Sequence, residues 1–130
     1  MKYEDIICEV EKRFDNSGNK LRCVEISFDD IKKANYTGVY ILCENDEIVY
    51  IGSAYSTRKK LYGRLRCHIS KTRGSSFRRH VARELGGTDI AVEYISGLKL
   101  YVIQYQDLEQ SLIEIARPRF NLIHNRKPKL

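Results

Sequence analysis

The stretch GVYILCENDEIVYIGSA, residues 38–54, is the part of the sequence that decides the fold. Its two apolar runs, 38–43 and 48–52, are rich in β-branched and aromatic residues, which favour strands. The polar segment ENDE separates them, and a short polar turn between two such runs is typical of a β-hairpin. The sequence therefore predicts two adjacent antiparallel strands here.

The residues that follow this hairpin show helical spacing. Leu61, Leu65 and Ile69 recur every four residues, which predicts a helix over 57–70. The next segment, SSFRRHVARELGG at 75–87, begins with serine, which is suited to an N-cap, and ends on two glycines. This arrangement predicts a second helix.

Two further segments lie towards the C-terminal end. The segment IAVEYISGLKLYVIQY, 90–105, is β-rich on both sides of a central Ser-Gly pair, so we expect one or two more strands there. The segment DLEQSLIEIA, 107–116, predicts a final helix, with Asp107 as a plausible N-cap and Pro118 as its stop.

Upstream of the hairpin, residues 3–14 predict a short amphipathic helix, 23–28 a strand and 28–34 a single helical turn. We find no internal repeat and no linker, so residues 1–130 form one predicted domain. The predicted fold class is α/β (α+β), with a small, mostly antiparallel three-stranded sheet flanked by helices.

The composition is that of a soluble globular protein, with 42% hydrophobic and 31% charged residues. No apolar run approaches the roughly 18 residues of a membrane span, and the charged N-terminal residues lack the apolar core of a signal peptide. The four cysteines lack the close pairing of a structural zinc site. We therefore expect a cytoplasmic protein with reduced thiols and no membrane partner.

The distribution of charge indicates a polyanionic partner. Residues 48–83 contain ten basic side chains and no acidic one, within a chain of net charge +6. Such a block favours nucleic acid first and an anionic membrane second, while a basic surface without a specific partner stays an alternative. The candidate nucleic-acid contacts in this block are Arg58, Lys59, Lys60, Arg66, Lys71, Arg73, Arg78 and Arg79.

Two helices place polar residues beside apolar ones. At about 100° per residue, Arg64 and His68 border the apolar stripe of the first predicted helix, a pair that suits phosphate binding and proton transfer. Glu109 falls within the apolar arc of the last helix, whereas Glu114 lies outside it. A carboxylate on a buried face must be paired or bound to a cation. Surface positions for Arg64 and His68, and a helix-dipole or salt-bridge role for Glu109, stay open.

These residues together resemble the signature of the GIY-YIG nuclease family. Gly38-Val39-Tyr40 and Tyr50-Ile51-Gly52 stand for the two tripeptides, with Val in place of the first Ile. The resemblance covers about residues 36–122, which leaves 1–35 as an N-terminal extension and 123–130 as a basic tail. The other elements follow in the family's order: Arg64 and His68 as R-x₃-H, Glu109 on a later helix, and Asn121 after RPRF.

The spacing departs from the family's pattern at one point. From Tyr50 to Arg64 the chain runs for 14 residues, which is longer than usual, so Arg58 is an alternative for the family arginine. Only Arg64 has a histidine four residues later, and we therefore prefer it.

The resemblance implies a β-β-α-β-α core that hydrolyses DNA phosphodiester bonds with one divalent ion, Mg²⁺ or Mn²⁺. It implies that Glu109 holds the metal, Arg64 holds the phosphate, and His68 accepts or relays a proton. A non-catalytic nucleic-acid-binding module on the same scaffold is the alternative, and a small interaction or membrane-surface protein is a third possibility. The catalytic residues implied are Tyr40, Tyr50, Arg64, His68, Glu109 and Asn121. The oligomeric state is not inferable from the sequence.

Overall fold

The computed structural model of this chain describes residues 1–14, 23–55, 60–104 and 109–121. Five α-helices, four strands and a 3₁₀-helix at Phe28–Lys33 form in these ranges. The elements are α1 (Tyr3–Phe14), β1 (Cys23–Ile26), β2 (Gly38–Glu44), β3 (Glu47–Ala54), α2 (Leu61–His68), α3 (Ser76–Leu85), α4 (Thr88–Ser96), β4 (Lys99–Ile103) and α5 (Glu109–Ala116).

The hairpin forms where the sequence predicts it. Strands β2 and β3 pair antiparallel, and Tyr40 lies opposite Gly52. Asn45 and Asp46 join the strands with φ angles of 48° and 67°. Positive φ at both central residues is the geometry of a type I′ turn, whose twist matches that of the two strands.

The sheet has four strands in the described residues, one more than we predicted. Their order is β1-β4-β2-β3, and every neighbouring pair is antiparallel. The additional strand is β1, which pairs with β4 from Cys23 opposite Ile103 to Ile26 opposite Leu100. The segment at 23–28 was predicted as a strand, but its local sequence carries no signal for the partner, because strand pairing is a long-range choice.

Of the one or two strands predicted around Ser96-Gly97, one forms. Strand β4 follows this pair as expected, but the segment before it is helix α4. Ala91 and Ile95, four residues apart, are both fully buried, and α4 packs against α3. Burial of one helical face thus outweighs the β-propensity of the isoleucine, valine and tyrosine residues in this segment.

The two faces of the sheet are covered by different helices, because successive side chains of a strand point to opposite faces. Tyr40 and Leu42 of β2 pack towards α2, α3 and α4, whereas Ile41 and Cys43 pack towards α1 and α5. Helix α5 runs beside the edge strand β3. None of the helices in the described ranges combines the length and apolar character needed to cross a membrane.

Candidate active site

One cleft brings together five of the six catalytic residues that the sequence predicted. It has a volume of about 690 Å³ and lies between the β2–β3 hairpin, α2, and the first turns of α3 and α5. The predicted residues that line it are Tyr40, Tyr50, Arg64, His68 and Glu109. They come from four separate elements, so the sheet and its helices are required to assemble them.

The innermost part of the cleft is a short chain of hydrogen bonds. Tyr40 Oη lies 2.5 Å from Nε2 of His68, and Nδ1 of the same ring lies 2.6 Å from Ser75 Oγ. All three side chains are buried, with at most 5% of their surface exposed. Both ring nitrogens of His68 therefore have a partner, and the imidazole is held in one orientation.

Aromatic contacts hold Tyr50 beside this chain. Its ring stacks on Phe77 with the centroids 4.0 Å apart and the planes 11° from parallel. Phe77 in turn meets the His68 ring edge-on at 5.2 Å. Such offset and edge-to-face contacts add to the free energy of burial, so Phe77 fixes both rings at once.

Burial keeps the two tyrosines protonated in the resting cleft. It raises the pKa of Tyr40 well above its usual value, and Tyr50 and Glu109 raise this pKa further, while the positive charge of Arg64 lowers it. Burial also raises the pKa of Tyr50, with Glu109 acting in the same direction. Tyr40 can therefore act as a base only if its own proton leaves at the same time.

Arg64 and Glu109 supply the opposite charges of the cleft. Arg64 is exposed on α2, one turn before His68, as the helical spacing predicts. Glu109 is half-buried at the start of α5, on the side of Leu112 and Ala116, whereas Glu114 is exposed. Burial raises the pKa of Glu109, and the charge of Arg64 opposes this rise. Glu109 and Glu114 thus lie on different sides of α5, as the helical spacing predicts.

The donor chemistry of the cleft fits a hard divalent cation. Among the described residues that line it, Glu109 is the one carboxylate, and no group of three or more His, Cys, Asp or Glu residues forms in the described ranges. Mg²⁺ is commonly held by one or two carboxylates together with water and substrate phosphate. A half-buried carboxylate whose ionised form is disfavoured by burial is a suitable single ligand.

Asn121 is not among the residues that line the cleft, and its catalytic role stays a prediction from the motif. Its side-chain Oδ1 accepts a hydrogen bond from Ile51 N–H, and its Nδ2 donates to the Ile51 carbonyl, each at 2.7 Å. The outer edge of β3 would otherwise leave these groups of Ile51 without a strand partner. The side chain of Asn121 thus acts as a substitute strand: it makes the two backbone hydrogen bonds that a neighbouring strand would make with Ile51. It thereby supports β3, the strand that carries Tyr50.

The predicted nucleic-acid contacts divide into three groups. Arg78 is buried, and its Nη1 donates to the carbonyl groups of Cys67 and Ser70, which does not support its assignment as a DNA contact. Arg58 and Lys59 lie outside the described residues. Lys60 is half-buried, and the exposed members of the set are Arg66, Lys71, Arg73 and Arg79.

Two residues of the cleft were missed by the sequence analysis as functional groups. Ser75 is the N-cap of α3, and its Oγ accepts a hydrogen bond from the backbone N–H of Arg78 at 3.0 Å. The N-cap pattern was visible in the sequence, but the contact with His68 was not. Phe77 had only the ordinary signal of an apolar residue on a helix.

No family model matches this sequence, and no curated protein or solved structure matches it either. The resemblance to the GIY-YIG nucleases therefore stays a prediction from the motif residues.

Proposed function

We propose that this chain is a divalent-metal-dependent endonuclease that hydrolyses DNA phosphodiester bonds. The observation that carries the proposal is the convergence of Tyr40, Arg64, His68 and Glu109 on one cleft. Together they offer a proton relay, a fixed cation and a carboxylate, which are the groups that phosphodiester hydrolysis needs. The order β2-β3-α2-β4-α5, with α3 and α4 inserted, supports a GIY-YIG-like core.

The buried pair of Tyr40 and His68 provides the base. Because burial keeps Tyr40 protonated, its oxygen accepts a proton from the attacking water only as its own proton passes to His68. The 2.5 Å separation of Tyr40 Oη from Nε2 is within the reach required for that transfer. His68 is thus the final proton acceptor in the proposed reaction.

Arg64 binds the scissile phosphate. Its guanidinium is permanently charged and presents donors in a fork that matches two phosphate oxygens. The charge that develops on these oxygens as water attacks is stabilised by the same donors. Tyr50, held against Phe77, lines the cleft beside Tyr40 and orients the attacked group.

Glu109 would hold a single Mg²⁺ or Mn²⁺ ion. When bound, the ion supplies positive charge that favours departure of the 3′ oxygen. A nearby Arg64 helps to keep Glu109 ionised and ready for the cation, since it opposes the effect of burial on the pKa of this carboxyl.

The exposed cations of residues 48–83 favour DNA as the substrate. Arg66, Lys71, Arg73 and Arg79 are exposed, and Arg79 also lines the cleft. Positive side chains around a cleft attract the phosphate backbone without reading its sequence. We also propose a cytoplasmic location, which suits four free cysteines, two of them buried.

Incubation with supercoiled plasmid and with branched DNA, in Mg²⁺ or in EDTA, tests the proposal. We expect strand cleavage that requires the metal and disappears in the Glu109→Gln variant. Binding without cleavage under every condition would leave a non-catalytic DNA-binding module. Cleavage that persists in EDTA would contradict the metal requirement.

A further inference from the structure

The first turn of α3 packs against the end of α2 that carries His68, through Ser75 and Arg78. Neither Ser75 nor Arg78 belongs to the motif that resembles the GIY-YIG signature. Ser75, Arg78 and His68 are each at most 7% exposed. Ser75 Oγ accepts the backbone N–H of Arg78 at 3.0 Å and lies 2.6 Å from His68 Nδ1. One hydroxyl group thus joins the N-cap of a helix to the imidazole of the proposed base.

The guanidinium of Arg78 binds backbone carbonyl groups near the end of α2. It donates to the carbonyl groups of Cys67 and Ser70, which lie at the end of α2 and just beyond it. Carbonyl groups at a helix end lack partners within the helix, and a cation there is favoured by the helix dipole. The end of α2 that carries His68 is therefore bound to the first turn of α3.

The contact between Tyr40 and His68 indicates which ring nitrogen carries the proton. A phenol hydroxyl is a much stronger acid than a neutral imidazole N–H, and an imidazole nitrogen is a stronger base than a phenol oxygen. The favoured arrangement therefore has Tyr40 O–H donating to Nε2 at 2.5 Å. In neutral His68 the proton then resides on Nδ1.

Ser75 can accept this Nδ1 proton without losing its role as the N-cap. A serine oxygen has two acceptor lone pairs, of which the Arg78 N–H occupies one. The second lone pair faces His68 Nδ1 at 2.6 Å. Both acceptor positions of Ser75 are then used, and the buried N–H of the imidazole is satisfied.

We propose that Ser75 is a positioning residue that holds His68 as the Nδ1–H tautomer, so that Nε2 is free to accept the proton of Tyr40. This role rests on the proposed nuclease function, but the tautomer itself does not. Without the hydroxyl, the buried Nδ1–H would lack an acceptor, and the Nε2–H tautomer would gain population. That tautomer donates to Tyr40 and cannot take its proton.

The kinetic test compares variants at position 75. We expect Ser75→Ala and Ser75→Gly to lower kcat on the order of 10²-fold, the contribution of a positioned base, with DNA affinity within about twofold of the parent protein. Glycine retains most of the capping effect that alanine loses, so equal losses in both variants point to the hydroxyl. Ser75→Thr keeps both the hydroxyl and the cap and should restore activity.

Ser27 provides the matched control. Its Oγ accepts the backbone N–H of Asp29 at 3.1 Å and caps the 3₁₀-helix, away from the cleft. Ser27→Ala should lower the melting temperature as a lost cap does and leave kcat unchanged. The positioning role is wrong if the kcat of Ser75→Ala stays within twofold of the parent value. It is also wrong if this kcat is lowered no more than that of Ser27→Ala.

The tautomer is read directly by ¹⁵N NMR of the histidine rings, with His68 assigned from a His68→Gln sample. We expect Nδ1–H in the parent protein and a mixture of tautomers in Ser75→Ala. An Nε2–H parent ring, or a ring state unchanged by Ser75→Ala, would overturn the proposal. This measurement needs no cleavage, so it tests the tautomer of His68 even if the protein is not a nuclease. It also tests the tautomer if the Ser75→Thr variant does not fold.

Discussion

Tyr40 and Gly52 face each other across the β2–β3 pair, and the phenol ring of Tyr40 fills the space of a side chain at position 52. A Cβ atom on Gly52 would overlap the hydroxyl group and the ring of Tyr40. The glycine is therefore required for the position of Tyr40 Oη, 2.5 Å from His68. This pairing gives the two tripeptides of the motif a steric reason to occur together.

Gly52→Ala should displace Tyr40 and lower kcat by about 10²-fold, because a shift of an ångström at a reacting group has effects of that size. Overpacking against β2 should also destabilise the fold by roughly 1–3 kcal/mol. Cleavage assays and thermal unfolding measure the two effects. Gly97→Ala is the control, since a Cβ there meets its neighbours at an ordinary 3.6 Å. If Gly52→Ala cleaves DNA as the parent protein does, Gly52 is not required for the position of Tyr40.

Arg64 and Arg66 separate phosphate binding at the cleft from general attraction to DNA. If six cations of the basic block meet phosphates, log K should fall against log salt with a slope of about −5. Removal of either arginine should reduce that slope by about one. Only Arg64→Ala should also lower kcat, by at least tenfold or about 1.4 kcal/mol, because Arg64 lines the cleft and Arg66 stacks over Tyr62. Equal kcat values for the two variants would argue against Arg64 as the phosphate ligand.

Glu109 and Glu114 offer the same comparison for the metal. Both lie on α5, but Glu109 lines the cleft and Glu114 is exposed. Glu109→Gln should reduce cleavage roughly 10³-fold, about 4 kcal/mol, because the neutral amide cannot hold the cation as a carboxylate does. DNA binding in EDTA should persist or tighten, since a negative charge near phosphate has been removed. Glu114→Gln should cleave like the parent protein, and similar mild losses in both variants would leave Glu109 without a metal role.

The raised pKa of Glu109 predicts the sign of a stability change. Burial makes the folded protein hold this proton more tightly than the unfolded chain, whose carboxyl has a pKa of about 4.5. The contribution of Glu109 to stability is thus present below that pH and lost as pH rises through the folded pKa. In EDTA at pH 7, Glu109→Gln should therefore melt at a higher temperature than the parent protein. The difference should shrink by pH 4, and a lower melting temperature at pH 7 would show that the carboxylate is well paired.

Asn121→Ala should destabilise the fold, because it removes both hydrogen bonds to the backbone of Ile51. Ile51 is fully buried, so its unpaired N–H costs about 1–3 kcal/mol. Urea unfolding measures the loss. Asn35→Ala, at an exposed position, should change stability by no more than about 0.5 kcal/mol. Equal midpoints for the two variants would contradict the role of Asn121 as a substitute strand.

The sequence by itself determined the local parts of the fold and much of the cleft. The hairpin, the serine cap and left-handed Gly86 end of α3, and the inward side of Glu109 on α5 all depend on residues close in the chain. Turn chemistry, capping and helical spacing act over a few residues, so a single sequence displays them.

Only the tertiary structure decided what each buried polar group contacts. Arg78 belongs to the basic block by composition, yet it binds carbonyl groups at the end of α2. Asn121 stands where the motif predicts an asparagine, yet its side chain hydrogen-bonds to Ile51, 70 residues earlier. The segment of α4 has β-forming residues, yet packing against α3 makes it a helix. These outcomes depend on partners distant in the chain, and the free energy of burying and pairing a group exceeds its local preferences.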